Sequence, residues 1–119
     1  MGRVELLEHA GKRIVAIDFS HCTPAQLSPL FDEAKKLIAA QGTGAALTLT
    51  DVTETRFDDE ISKTFKAYLE HNKPFVKAAA VLGLTGLRKA LFTAINVAVR
   101  RDVRPFDDRE SALRWLASQ

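Results

Sequence analysis

The sequence predicts an α/β domain: a single mostly parallel sheet of about five strands with an antiparallel first strand, and helices packed on it, in the order β-β-α-β-α-β-α-β-α. Short apolar runs of strand length alternate with stretches of helical periodicity along the chain. The clearest case is the segment from His71 to Lys89, H-N-K-P-F-V-K-A-A-A-V-L-G-L-T-G-L-R-K. It reads as a helix stop, a strand apolar on both faces, and a glycine turn opening another helix. Strands covered on both faces belong to parallel sheets, whose ligands meet the chain just past the carboxyl ends of the strands.

The elements follow in order. Val4 to His9, the turn Ala10-Gly11-Lys12 and Arg13 to Phe19 make a strand, a turn and a strand. The second strand, with Ile14, Val15, Ala16, Ile17 and Phe19, is apolar almost throughout. Thr23-Pro24-Ala25-Gln26 has the pattern of a capping box with proline at the first helical position. Leu27, Leu30, Phe31, Ala34, Leu37 and Ile38 then recur at helical spacing up to Gly42, and Pro29 is expected to bend this helix or delay its regular part because it removes an amide donor. Ala45 to Thr50 is the next strand and ends at Asp51. Asp58 caps a helix whose stripe is Ile61, Phe65, Tyr68 and Leu69, stopped before Pro74. Phe75 to Leu82 is the central strand.

Thr85 or Gly86 opens a helix over residues 87–99 that is apolar almost all round, with Leu87, Ala90, Leu91, Phe92, Ala94, Ile95, Val97, Ala98 and Val99. A helix lying on a sheet needs only one apolar stripe. The excess implies deep burial, an oligomer contact or the wall of an apolar pocket, and Leu91, Phe92, Ile95 and Val99 are the candidate interface. Arg104 to Phe106 is a short strand. Asp107 to Ser118 is a terminal helix turning Ala112, Leu113, Trp115 and Leu116 inward.

At 119 residues the chain is one domain, spanning 1–119, with a single core. Its only cysteine, Cys22, excludes an internal disulfide and any multi-cysteine metal site. No run approaches the ~20 apolar residues of a membrane span. The start Met1-Gly2-Arg3-Val4-Glu5 lacks the apolar core of a secretory signal, so a cytoplasmic location is expected. Residues 1–60 hold 6 Lys and Arg against 10 Asp and Glu, a balance of −4, whereas residues 61–119 hold 11 against 5, a balance of +6. No basic cluster is interleaved with aromatics, so nucleic acid is not an expected partner.

Right-handed crossovers place the loops after Phe19, Asp51, Leu82 and Phe106 at one end of the sheet, where function is to be sought. Asp18, Ser20, His21 and Cys22 bring nucleophile and base types together there, but neighbours in sequence seldom reach the geometry of a triad. Asp18 and Ser20 serve equally to satisfy turn amides. His9, His21 and His71 lie on separate elements without ligand spacing, so neither a metal nor a cofactor is expected. Gly83, Thr85 and Gly86 with Arg88 and Lys89 form the best local signal. Glycines there allow close backbone approach, and cations in a first helical turn suit an anionic ligand better than they suit the helix. The alternative is a simple tight turn.

The segments G-K-R-I-V-A-I-D-F-S, L-T-L-T-D-V-T, the His71 to Lys89 stretch and the closing E-S-A-L-R-W-L, spread over roughly residues 11–117, resemble the STAS/SpoIIAA-like superfamily. The resemblance implies the sheet order above and a regulatory rather than enzymatic role. Superfamily members include bacterial anti-sigma-factor antagonists, which bind proteins and are switched by phosphorylation in an Asp-Ser-Ser-Gly motif. The matching place here is Thr50-Asp51-Val52-Thr53-Glu54-Thr55. Asp51 keeps the leading acid, Val52 and Thr53 replace the serines, and the glycine is absent. Thr53 is thus the candidate phosphoacceptor, with Thr55 second. Related CRAL-TRIO domains hold a lipid in an apolar pocket. The expected function is a non-catalytic binding domain acting on a protein partner or on its own copy as a homodimer. The alternative is a carrier of a small apolar or anionic ligand. Asp18, Ser20, Asp51, Thr53, Gly83, Thr85, Gly86, Arg88 and Lys89 are the candidate binding residues.

Overall fold

The apolar runs become interior strands and the periodic stretches become helices in the predicted order. The computed structural model describes residues 3–119, with the side chains of all but residues 87 and 88. The elements are β1 (Val4–His9), β2 (Lys12–Asp18), α1 (Pro24–Ala40), β3 (Ala46–Asp51), α2 (Asp59–Asn72), β4 (Val76–Leu82), α3 (Gly86–Ala98), β5 (Val103–Phe106) and α4 (Arg109–Ala117). The sheet order is β1-β2-β3-β4-β5. The first pair is antiparallel and the others are parallel.

Because successive parallel strands add on the same side, right-handed crossovers send α1, α2 and α3 to one face. That face carries the larger core. Val15, Ile17, Ala79, Val81 and Val103 of the sheet pack against Leu27, Phe31 and Ile38 of α1, Phe65 and Tyr68 of α2, and Phe92, Ile95 and Val99 of α3. Its centre is aromatic: Phe31 and Tyr68 stack with ring centroids 4.9 Å apart, and Phe19 meets Phe31 edge-on at 5.2 Å. The opposite face is covered by α4, where Ala112 and Leu116 pack on Ile14, Leu47, Leu49, Ala80 and Leu82. This two-sided cover explains why β2 and β4 read as nearly continuous apolar runs.

Local chemistry sets the helix ends. The Gln26 side-chain oxygen accepts the Thr23 N–H at 2.9 Å, the reciprocal half of the capping box. Asp58 accepts the Ile61 N–H at 2.7 Å and Asp108 the Ser111 N–H at 2.8 Å. Pro29 does not interrupt α1, which runs unbroken from Pro24 to Ala40. Pro29 and Ala25, whose carbonyl loses its partner, are both exposed, so the freed acceptor lies on the solvent side of the helix.

Candidate functional site

The parallel register aligns Asp18 with Asp51, Asp51 with Leu82, and Leu82 with Phe106, so the strand ends form one row. Two of these ends repeat one device. Asp18 accepts both the backbone N–H of Ser20 and its hydroxyl. Asp51 accepts the Thr53 N–H at 2.9 Å and its hydroxyl at 2.6 Å. Each D-x-S/T triplet thus folds back on its own carboxylate and is followed by a left-handed residue, His21 at φ 58° and Glu54 at φ 52°. The two turns are also tied to each other. His21 N–H donates to Thr53 O at 2.8 Å, and the buried Thr55 hydroxyl donates to Phe19 O at 2.8 Å.

Asp18, Ser20, His21 and Cys22 therefore do not assemble as nucleophile and base. Ser20 donates to Asp18 within a turn, His21 is exposed, and Cys22 is fully buried, its thiol pushed up chiefly by desolvation, which Arg3 partly opposes. Arg3 braces the same end, donating to Ser20 O at 2.8 Å. Arg3, Glu5, Asp18, Asp51 and Arg109 line a polar groove of about 200 Å³ there. His21 lies at this end, while His9, paired with Lys12 at the start of β2, lies at the other.

Thr53 lies in the turn after β3, six residues ahead of Asp59, the first residue of α2. Gly83 covers it. A Cβ on Gly83 would clash with Thr53 Oγ1 and stand 2.6 Å from Thr53 N, and Gly83 has φ +84°. Close packing of two protein turns, not the approach of a ligand, is what demands glycine here. Gly86 takes φ +56° at the start of α3 behind Thr85, and its Cβ position is open. Lys89 is exposed; the Arg88 side chain lies outside the described residues.

The apolar excess of α3 divides into two faces. Phe92, Ile95 and Val99, expected at an interface, are instead 7%, 9% and 5% exposed and belong to the core. They are the stripe with which a helix on a sheet must bury itself, so an outward role falls on other residues. Val97 is 73% exposed and Leu91 39%, and Gly86, Ala90, Ala94 and Ala98 are exposed at intervals of four.

Beneath α2 and α3, against the sheet, lies a small cavity lined by Ile17, Val76, Ala79, Phe92 and Val103 with Thr48, Thr50, Tyr68, Asn72 and Arg101. Asn72, the last residue of α2, is 2% exposed, and its side-chain oxygen has no hydrogen-bond partner. Burial pushes the ionisation of the nearby Tyr68 hydroxyl well above the ordinary tyrosine range, with Arg101 and Asn72 opposing. Arg101 is half-buried and, among the described residues, forms no ion pair; desolvation pulls its guanidinium below the ordinary value. It donates to Leu69 O at 2.9 Å, completing the C-terminus of α2, while Lys73 reaches Val99 O at the end of α3 at 3.5 Å. Each helix end is thus supplied with a cation from beyond its neighbour.

Sequence reading missed this second constellation. Asn72 reads as a helix stop and Arg101 as a cation suiting the end of its own helix. The available signal was Tyr68, Leu69 and Asn72 at spacings of one and three on an apolar stripe, which turns the amide inward with them. No family model, curated protein or solved structure matches the chain. Among the described residues no helix is long and apolar enough to cross a membrane.

Proposed function

We propose that the chain is a STAS-like binding domain without a catalytic role, working through a protein surface that in the simplest case is a second copy of itself. The observation that carries this reading is the outer face of α3. Val97, 73% exposed, and Leu91 flank the row Gly86, Ala90, Ala94 and Ala98, which leaves room for another helix to approach closely. A two-fold contact uses the same patch twice. Full burial of a valine or leucine side chain is worth roughly 1.5–3 kcal/mol, and Leu91 contributes less because it is already partly covered. Two copies of each give a gain of the same order as the ~4–15 kcal/mol cost of association, so the pairing is weak and concentration-dependent. Chemical cross-linking over a concentration series tests it. Wild type should yield a covalent dimer that Val97→Asp loses while melting at an unchanged temperature; equal cross-linking of both would refute the assignment of the face.

A second reading, a carrier of a small apolar molecule, is favoured by the largely apolar lining of the cavity beneath α2 and α3. A mass released on denaturing a natively purified sample would put it first.

A further inference from the structure

Asn72 carries the one buried side-chain polar atom without a hydrogen-bond partner among the described residues. Buried polar groups in folded proteins are nearly always satisfied, and those that lack a protein partner are commonly met by internal water. The surroundings specify what would satisfy this one. An amide oxygen only accepts, so the missing group must donate. A fully deprotonated anion offers no donor, and an ammonium would sit in the same cavity as the Arg101 guanidinium. The space open to the centre of a water-sized molecule is about 20 Å³, room for one such group beside the amide. The polar side chains that share the lining, Thr48, Thr50 and Tyr68, give that group further partners.

We propose that the cavity is a binding site for a single neutral O–H group held by the Asn72 amide oxygen, supplied by an internal water or by the hydroxyl end of a bound apolar molecule. The inference is independent of self-association through α3. It gives Asn72 a purpose that a helix stop does not, since terminating α2 does not require a fully buried amide.

Two variants and two measurements test it. Asn72→Leu removes the acceptor at similar volume. Ala79→Val keeps Asn72 and fills the space from β4, so the test survives if the first variant fails to fold. Magnetic relaxation dispersion of the intact protein counts long-lived internal waters, and native against denatured mass detects a bound molecule. A slowly exchanging water in wild type that both variants lose, with a lower melting temperature for Ala79→Val, supports the site with water as occupant. An added mass in wild type that Asn72→Leu loses supports it with a ligand hydroxyl. Absence of both signals, with Ala79→Val melting higher because a dry void has been filled, overturns the proposal.

Discussion

Replacing Gly83 by alanine separates two costs that usually arrive together. At φ +84° an L residue is strained, by about 1–2 kcal/mol. The added Cβ also lands 2.6 Å from Thr53 N and 2.7 Å from Thr53 Cα. These are backbone atoms held by the Asp51 turn and by the His21 to Thr53 hydrogen bond, so they cannot swing aside as the tip of a side chain would. Overpacking of this kind costs roughly 1–3 kcal/mol. Gly83→Ala should then lose about 2–5 kcal/mol in all, a large share of the ~5–15 kcal/mol that stabilises an ordinary domain. Gly11 is the internal control: its φ is +80°, but nothing lies within 4 Å of its Cβ position. Gly11→Ala should show the strain alone. Urea denaturation followed by Trp115 fluorescence measures both, with m-values checking that the unfolded states are comparable. Equal losses for the two variants would refute the account of Gly83 as a clamp on the Thr53 turn.

Other outcomes follow from burial and hydrogen bonding. Tyr68 is the single tyrosine, so an alkaline titration reads it alone. Its folded pKa is raised above the ordinary 10.0, so its contribution to stability is full below pH 10 and is lost as pH rises above that value. The phenolate absorbance should therefore appear together with unfolding, and a titration near pH 10 with the fold intact would contradict the buried position. Cys22, fully buried with its thiol pushed up, should resist a thiol reagent in the native protein and react completely in denaturant. Thr55→Val keeps shape but strips the buried bond to Phe19 O; a loss of about 1–3 kcal/mol in urea denaturation is expected, and no loss would mean that this bond does not hold the two turns together.

The fold was legible because local signals agreed with the global pattern. Thr23, Asp58 and Asp108 stand at the helix starts that capping chemistry selects, and Ile14 to Ile17 of β2 and Ala78 to Leu82 of β4 are unbroken apolar runs that suit a strand covered on both faces. The rim was legible in part. D-F-S and D-V-T showed as turn formers, but their common geometry depends on the register that sets Asp18 beside Asp51, which no single segment contains. The two faces of α3 could not be separated, because alanine, leucine and valine satisfy an inner or an outer position alike until the packing angle is known. The Asn72 cavity was least visible. It needs α2, β4 and the segment after α3 to converge, and a lone asparagine before a proline turn has a sufficient local explanation.

Sedimentation equilibrium of the undenatured protein over a wide range of loading concentrations tests the central claim most directly. The account predicts a reversible monomer–dimer equilibrium for wild type and a monomer throughout for Val97→Asp. A wild-type protein that stays monomeric to the highest concentration would contradict self-association through the outer face of α3.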